Sequence, residues 1–344
     1  MLSIGVDAWN LPGDHRGIGR YVREILREWR SMPDRATVTL IVPEWHTWTV
    51  RGRYLREVDD VPYRIVSRAM HRFAGLDVLW FPWNGCSWTN FSLPAVATLH
   101  DATNFVIPGY APETQKIFRA AVEHCTRLIT VSEFSRQELI RVLHIPPDRI
   151  TAIPSGVRFD NGRALGSIDT RTLKPYVLFV GMSEKRKGVE ALLRAMQRVQ
   201  ARHPEVSLVL AGARGDAIDG SETVRLRELG WIDDATLASL YRDASVFAFP
   251  SRYEGFGLPA LEAMTHGTPV VTTSNTAIPE AAGDAALYIP VDDENALANA
   301  ILRILDDPNC AAALRERGLR RAAEMAWTKT AIATLDVLQK ATQR

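Results

Sequence analysis

The chain has 344 residues, of which 46% are hydrophobic and 24% charged, and its formal net charge is +1. This composition is typical of a folded protein with room for two domains, and it provides no overall positive field for nucleic acid. No apolar stretch reaches the roughly 18 residues of a membrane span, and the first residues lack the basic and apolar segments of a signal peptide. Three cysteines, Cys86, Cys125 and Cys310, are far apart in the sequence and fit no metal or disulfide spacing. We therefore expect a cytoplasmic protein.

The first half of the chain alternates predicted strands with predicted helices. A strand at 3–7 leads through a turn-rich loop into a helix at 18–30, and Ser132 is suited to cap a later helix at 133–143. Apolar runs predict further strands at 38–42, 77–81, 95–99, 127–131 and 150–153. One more helical pattern falls among them, at 113–125. This alternation indicates a parallel sheet with helices on both faces.

A polar, glycine-rich stretch at 155–175 separates this half from a second one of the same kind. There the apolar patterns predict strands at 176–181, 207–211, 224–229, 246–249 and 269–273, and helices at 188–202, 234–243, 258–266, 294–306, 310–325 and 328–342. The fold class is α/β, with two doubly wound Rossmann-like domains that face each other across a cleft. We assign 1–160 to the N-terminal domain, 161–175 to the linker, 176–326 to the C-terminal domain, and 327–344 to a helix able to pack back on the first domain.

The stretch 250–269 holds two carboxylates, Glu254 and Glu262, with glycines between them. Gly255 and Gly257 allow backbone N–H groups to approach a ligand, and the start of the following helix favours an anion. Two carboxylates that accept from hydroxyl groups, beside donors for phosphate, indicate a nucleotide-sugar site. The ordinary alternative is a strand-to-helix turn with one surface and one capping glutamate.

Three other constellations carry polar groups at predicted strand ends. The loop DHRGIGRY at 14–21 contains Gly17 but is no dinucleotide fingerprint, which disfavours an oxidoreductase. His100 and Asp101 follow a buried strand, where a histidine can stabilise charge or exchange a proton. Arg186 and Lys187 follow another strand and suit a pyrophosphate. The alternatives are an unliganded turn, a structural histidine and a solvated charged loop.

Aromatic residues mark a candidate acceptor side. Residues 45–72 combine six arginines with interleaved aromatic residues, as a surface that meets anionic lipid or a lipid-linked acceptor does. This stretch is our candidate for peripheral contact with the inner face of a membrane, and the alternative is an amphipathic surface whose arginines only snorkel. Trp83 and Trp88 are candidates for stacking on an acceptor sugar, whereas Trp80 lies within a strand and suits core packing.

These motifs resemble the retaining nucleotide-sugar glycosyltransferases of glycosyltransferase family 4, which have the GT-B fold. The resemblance covers nearly the whole chain and is most specific in VGMSEKRKG, in FPSRYEGFGLPALEAMTHGTPVV and in IPEAAGDAALYI. In the first half, RGIGRYVREIL, LHD and ITVSEFSRQEL are similar to the branch that includes many bacterial mannosyltransferases. Gly188 departs from the family pattern, which commonly has Asn after the basic pair, and Ala102-Thr103 replaces a more usual apolar pair.

The resemblance implies that the N-terminal domain lies on the acceptor side and the C-terminal domain on the donor side, and it implies a role for each matching position. Glu262 would bind the donor ribose, and Glu254 would contact the transferred sugar and support charge at its anomeric centre. Arg186 and Lys187 would neutralise the leaving diphosphate, and His100 would lie close to the donor sugar. The remaining donor contacts would come from backbone at Gly17, Trp231, Ile232, Gly255, Phe256, Gly257 and Leu258.

The implied activity is transfer of a hexose, with mannose favoured, from a nucleotide-sugar donor, with GDP-mannose favoured. The acceptor would be a hydroxyl of a saccharide or lipid-linked saccharide in surface polysaccharide or glycan assembly. We expect no metal and no other cofactor, because a cationic pair and helix N-termini can stabilise the leaving group. Alternatives are another reaction on the same fold, by an epimerase or a phosphorylase, and a non-catalytic transferase-like binding subunit.

Overall fold

The computed structural model describes residues 1–14, 17–43, 63–70, 73–158, 167–215 and 223–343. The chain divides into two compact units. The first contains Met1–Gly156 together with Trp327–Arg344, and the second contains Val157–Ala326. Both are α/β units built on a parallel sheet, as the sequence predicts.

The described part of the first unit contains a seven-stranded parallel sheet in the order β3-β2-β1-β4-β5-β6-β7. Its strands are β1 (Leu2–Asp7), β2 (Ala36–Val42), β3 (Arg64–Ser67), β4 (Val78–Phe81), β5 (Ala95–Thr98), β6 (Arg127–Thr130) and β7 (Ile150–Ala152). Val6 lies beside Leu40 of β2 on one side and Trp80 of β4 on the other. The strand order therefore reverses between β1 and β4, and ligands of such sheets bind at the carboxyl ends of the strands at this point.

The described helices of the first half are α1 (Gly17–Arg30), α2 (Thr103–Val106), α3 (Pro112–His124) and α4 (Glu133–Leu143). Ser132 caps α4 as predicted, because its side chain accepts a hydrogen bond from the Ser135 amide. Trp29 of α1 packs on Trp80 of β4 with ring centroids 5.0 Å apart, and both side chains are buried. The predicted core position of Trp80 is confirmed.

The described part of the second unit contains a six-stranded parallel sheet in the order β10-β9-β8-β11-β12-β13. Its strands are β8 (Tyr176–Val180), β9 (Ser207–Ala211), β10 (Leu226–Gly230), β11 (Val246–Phe249), β12 (Val270–Thr273) and β13 (Ala286–Ile289). Val177 of β8 pairs with both Leu208 of β9 and Val246 of β11. The reversal of strand order in this sheet therefore falls between β8 and β11.

The described helices of the second unit are α5 (Val189–Arg202), α6 (Asp234–Asp243), α7 (Leu258–Thr265), α8 (Ile278–Ala282), α9 (Glu294–Asp306) and α10 (Pro308–Glu324). Residues 167–175, assigned from the sequence to the linker, belong to this unit and contact α6 and the residue before it. Ser167 Oγ donates to Asp233, and Thr170 Oγ1 donates to Asp243. Val157 forms an isolated parallel bridge with Ala326, the last residue of the unit.

The last helix, α11 (Trp327–Thr342), belongs to the first unit. The indole of Trp29 in α1 donates a hydrogen bond to Ala331 O at 3.0 Å, and Thr330 Oγ1 donates to Pro154 O at 2.8 Å. The Trp327 ring meets the Tyr21 ring edge-on at 5.9 Å between centroids. This helix therefore completes the core of the unit formed by the start of the chain.

Four short elements were not predicted, namely β3, α2, α8 and β13. The helices α2 and α8 have four and five residues, too few to display a helical period, and the strands β3 and β13 have four residues each. The predicted membrane-contact stretch 45–72 lies largely outside the described residues, and its described part, 63–70, forms β3 and a short 3₁₀ turn. None of the helices in the described ranges is long and apolar enough to cross a membrane.

Two cysteines separated by 39 residues meet inside the first unit. The Sγ atoms of Cys86 and Cys125 lie 3.2 Å apart, and both thiols are free and buried. The hydrogen bond with Cys125, together with burial, raises the pKa of the Cys86 thiol. Cys86 follows β4 and Cys125 caps the end of α3. Because folding brings these distant positions together, their spacing in the sequence does not predict the contact.

Candidate functional site

In the second unit, the predicted charged residues lie in the loops that follow the two strands where the strand order reverses. Arg186 and Lys187 lie in the loop after β8, and Glu254 lies in the loop after β11. Because these strands are neighbours and parallel, both loops leave the same edge of the sheet. The sequence places the charges at strand ends, and the pairing of β8 with β11 explains why they meet.

Glu254 is the centre of this charged group, which we call the Glu254 cluster (Arg186, Lys187, Ser251 and Glu254). Its Oε1 accepts hydrogen bonds from Lys187 Nζ and from Ser251 Oγ, each at 2.6 Å. A guanidinium nitrogen of Arg186 lies 3.7 Å from the same oxygen. Only 8% of Glu254 is exposed. A carboxylate at this depth is stabilised by its two cationic neighbours, and removal of either would leave a poorly compensated charge.

Arg186 and Lys187 are held in defined positions by further contacts. Arg186 Nη1 donates to Tyr253 O at 2.7 Å, and its own carbonyl accepts from the Arg252 amide at 2.8 Å. The Lys187 ammonium lies over the Phe249 ring, 5.2 Å from its centroid. These protein contacts fix two cations beside one carboxylate.

Gly188 explains its own departure from the family pattern. Its φ is +71°, which favours glycine, and a Cβ at this position would come within 2.1 Å of Pro250 O. The loop after β8 therefore packs directly on the loop after β11. An asparagine would meet the same carbonyl, so this close contact requires the glycine.

The segment after Glu254 presents backbone donors. Gly257 has a φ of +107° and precedes α7, whose second residue is Pro259. Among the described residues, the amides of Phe256, Gly257 and Leu258 donate to no protein acceptor. Free amides at the start of a helix attract anions. Gly267, with a φ of +70°, follows the end of α7.

The second predicted carboxylate has a different neighbour. Glu262 is half-buried in α7, and its Oε2 accepts from the hydroxyl of Tyr241 in α6 at 3.0 Å. Trp231 follows β10 and is 66% exposed, while Ile232 is half-buried.

In the first unit, His100 lies after β5 and is held from three directions. Asn84 Oδ1 accepts from its amide at 2.8 Å, and its Nε2 lies 2.9 Å from Pro82 O. The ring meets the Tyr21 ring edge-on at 4.8 Å. Burial lowers the pKa of His100 and outweighs the Pro82 hydrogen bond and the charges of Asp101 and Asp14, which raise it. The imidazole is therefore neutral at neutral pH.

The other predicted residues of this unit have structural contacts. Asp101 Oδ1 accepts from the Thr103 amide at 2.8 Å, at the start of α2. Trp83 is 4% exposed and donates from Nε1 to Asp7 O, and Trp88 packs among Phe73, Phe81 and Phe91. Their acceptor role stays a prediction. Gly17 starts α1, and a Cβ there would meet nothing within 4 Å.

Several polar partners of the predicted residues were missed from the sequence. Ser251 bonds to Glu254, Tyr241 bonds to Glu262, and Asn84 bonds to His100. Asp7, the last residue of β1, is 2% exposed and accepts from Ser87 Oγ at 2.6 Å. An acidic residue at the end of an apolar strand was a visible signal for Asp7, whereas the other partners follow only from the fold.

Comparison with solved structures defines the class of fold. The chain is similar to sucrose-phosphate synthase from Thermosynechococcus elongatus, with a TM-score of 0.74, 22% identity and 99% of each chain covered. It is similar to HepE from Anabaena, solved in complex with UDP and glucose, with a TM-score of 0.74 and 16% identity over 99% of this chain and 100% of that one. The fold is the GT-B glycosyltransferase fold, as predicted.

Comparison of sequences defines the family. Residues 174–307 match the family described as Glycosyl transferases group 1, and residues 15–161 match Glycosyltransferase Family 4. The chain is 34% identical to O-antigen chain mannosyltransferase B of Escherichia coli over 72% of each chain. It is also 34% identical to a phosphatidyl-myo-inositol mannosyltransferase of Mycolicibacterium smegmatis, over 68% of this chain and 62% of that one. The chain belongs to glycosyltransferase family 4 and is a hexosyltransferase.

Proposed function

We propose that the protein transfers a hexose from a nucleotide-sugar to a hydroxyl of a saccharide or lipid-linked saccharide, with retention of anomeric configuration. The observation that carries this proposal is the Glu254 cluster, which holds a carboxylate and two cations next to free amides at the start of α7. Cations and free amides suit a diphosphate, and a carboxylate suits sugar hydroxyls and a cationic transition state.

The leaving nucleoside diphosphate develops negative charge as the glycosidic bond breaks. Arg186, Lys187 and the amides of Phe256–Leu258 would neutralise it, so we expect transfer to proceed without a metal. The Lys187 ammonium bonds to Glu254 at 2.6 Å. An arriving diphosphate would compete for the ammonium, and the carboxylate would then be available to a sugar hydroxyl and to charge at the anomeric carbon.

Two further residues would act on the nucleoside and on a substrate hydroxyl. Glu262 would accept from the ribose hydroxyls, with its orientation set by Tyr241. His100 is neutral and held by Asn84 and Pro82, so it would serve as a hydrogen-bond acceptor rather than as a cation. Gly17, whose surroundings are open, would allow a phosphate to approach the start of α1.

The names of the relatives favour mannose as the transferred sugar. The two compared above are both called mannosyltransferases. HepE, which was solved with UDP and glucose, shares only 16% identity with this chain. We therefore propose GDP-mannose as the donor, with surface polysaccharide or glycan assembly as the setting and the cytoplasmic face of the membrane as the location.

Donor binding tests this proposal through thermal unfolding in the presence of GDP-mannose, GDP-glucose, UDP-glucose and ADP-glucose, with EDTA in every sample. A ligand that binds only the folded protein raises its melting temperature by mass action. We expect GDP-mannose to give the largest rise and Lys187→Ala to remove it. Lys185→Ala is the matched control, because Lys185 is the exposed neighbour of Lys187. No rise with any nucleotide-sugar, or an equal rise in Lys187→Ala, would contradict the donor site.

A further inference from the structure

The turn that follows β4, residues 82–87, holds His100 at two points. Asn84 Oδ1 accepts from the backbone amide of His100 at 2.8 Å, and Pro82 O lies 2.9 Å from Nε2 of the ring. Because a carbonyl oxygen only accepts, Nε2 must carry the hydrogen. In the neutral ring, Nδ1 is then the acceptor. The turn therefore selects both the orientation and the tautomer of His100.

The turn has a backbone shape that few sequences permit. Asn84 has a φ of +63° and Gly85 a φ of +135°. A Cβ at Gly85 would lie 2.2 Å from Ile117 O of α3, and the Cys86 amide donates to the same carbonyl at 3.0 Å. Asparagine is one of the few residues with a side chain that tolerates the left-handed region. The turn is thus pressed against α3 with its Asn84 side chain directed at His100.

Asp7 holds the same turn from the side of β1. Its backbone oxygen accepts from Trp83 Nε1 at 2.7 Å, and its Oδ2 accepts from Ser87 Oγ at 2.6 Å. Trp83 and Ser87 lie on either side of Asn84 in the turn. Burial raises the pKa of Asp7 to about 6, although the Ser87 hydrogen bond lowers it. A buried carboxyl with a perturbed pKa at the end of a strand is a candidate functional group.

We propose that Asp7 and Asn84 are positioning residues for His100. Asp7 anchors the turn through Trp83 and Ser87, and the turn presents His100 with Nε2–H on Pro82 O and Nδ1 available to a substrate hydroxyl. This inference rests on the proposed function for its effect on activity. Its structural part, the orientation and tautomer of His100, stands independently of the reaction.

The charged and titratable neighbours determine the sign of the pH dependence. Arg68 and the Cys86 thiol face Asp7, while Asp101 and Asp14 face His100. As the pH falls through about 6, Asp7 gains a proton and Ser87 loses its charged acceptor. The wild-type turnover rate should therefore fall in this range, and Asp7→Asn should lack this step because its amide does not titrate.

Activity tests the proposal through a double-mutant cycle. Asn84→Gly keeps the left-handed backbone and removes the acceptor, whereas Asn84→Asp keeps the acceptor. We expect Asn84→Gly to lower kcat at least about tenfold with donor KM within about twofold, and Asn84→Asp to retain most of the rate. In a His100→Ala background, Asn84→Gly should change kcat by less than about twofold. An equal loss in both backgrounds would overturn the positioning role.

Ser87→Ala tests the Asp7 side of the turn, with Ser92→Ala as its control. Ser92 is exposed in the same connection between β4 and β5. We expect Ser87→Ala to lower kcat at least about threefold and Ser92→Ala to leave it unchanged. Equal rates in the two variants would overturn the role of Asp7.

A measurement without substrate separates this inference from the proposed function. The ¹⁵N shifts of the His100 ring, assigned by comparison with His100→Gln, report its protonation and tautomer. We expect one neutral Nε2–H tautomer in the wild type from about pH 7 to 8, where Asp7 is ionised, and a shift toward a mixture in Asn84→Gly and Asp7→Asn. A wild-type ring that is charged or protonated at Nδ1, or shifts unchanged in both variants, would overturn the proposal. If the wild type transfers no sugar but shows these shifts, the proposed function fails and the positioning holds.

Discussion

The carboxyl ends of the two sheets have similar strand layouts and different chemistry. In the second unit, the loops after β8 and β11 bring Glu254 into contact with Lys187 and close to Arg186. In the first unit, the ends of β1 and β5 carry Asp7 and His100, which are buried and bonded mainly to neutral groups. One sheet end concentrates ions, and the other shields two titratable groups from water.

This difference shows that strand order decides where polar groups meet, while the loops decide what they bind. Both sheets reverse their strand order once, between β1 and β4 and between β8 and β11, and this creates a ligand position in each. Fixed cations favour a phosphate, because they compensate charge in place. A neutral imidazole with one free acceptor nitrogen favours a hydroxyl, because no net charge has to be balanced.

The largest effect should follow from changing the charge of the Glu254 cluster. Glu254→Gln keeps the size and one acceptor oxygen but removes the carboxylate, so we expect kcat to fall by about 100- to 1,000-fold with the fold intact. The measurement is steady-state transfer from GDP-mannose with EDTA present, alongside circular dichroism. Glu205→Gln is the control, since the Glu205 side chain is 55% exposed beside His203. A kcat within a few-fold of the wild type would contradict the role of Glu254.

The same change of charge at Asp7 should increase the stability of the fold. Its pKa is raised from 3.8 to about 6 in the folded protein, so folding favours the protonated form. This stabilisation is present below about pH 4 and is lost as the pH rises through about 6. Asp7→Asn stays neutral throughout, so its free energy of unfolding should exceed that of the wild type by up to about 3 kcal/mol at pH 8 and by little at pH 4.

Urea denaturation of the wild type and Asp7→Asn at the two pH values measures this difference. Asp284→Asn serves as the control, because the Asp284 side chain is 70% exposed and should give no pH-dependent gain. An Asp7→Asn variant that is less stable than the wild type at pH 8 would mean that the carboxylate form is the favoured one. A gain in stability together with a loss of turnover is the pattern expected of a residue kept for function.

Many features of both sheets could be predicted from the sequence. Alternating apolar runs predicted both sheets, and α6 and β11 were predicted with the bounds that the structure gives them. Charged residues at strand ends predicted a site at Arg186, Lys187 and Glu254; the structure brings these side chains together, and their role stays a prediction. The strands and the proximity of the charges were predictable because they depend on local periodicity and on the general geometry of parallel sheets.

The missed features depend on contacts between distant residues. Asn84 reaches His100 across 16 positions, Ser87 reaches Asp7 across 80, and Cys86 meets Cys125 across 39. No pattern within one element predicts such pairs. Gly188 was noticed only as a departure from a motif, although the carbonyl of Pro250 leaves no room for a Cβ there.

A smaller effect should separate two glycines of the same helix in the first unit. A Cβ at Gly19 would lie 1.7 Å from Asp14 O, whereas one at Gly17 would meet nothing within 4 Å. We expect Gly19→Ala to lower the free energy of unfolding by about 2 kcal/mol. Gly17→Ala should leave it unchanged or raise it slightly. Urea denaturation measures both, and an equal loss of stability in the two variants would contradict the open space around Gly17. Binding of GDP by Gly17→Ala then tests whether a phosphate approaches this position.

The smallest effect should come from a change at Trp231, which follows β10 in the second unit. Its side chain is 66% exposed, so Trp231→Ala should not change the melting temperature. Since the resemblance assigns the nucleotide base to the backbone at Trp231 and Ile232, we expect donor KM to rise only about twofold to threefold. Leu319→Ala, which shortens another exposed apolar side chain, is the control. Stacking of an aromatic ring on a base is worth about 1–3 kcal/mol. A rise in donor KM of about tenfold or more in Trp231→Ala, with a smaller rise in Trp231→Phe, would therefore assign the base to the indole face instead of the backbone.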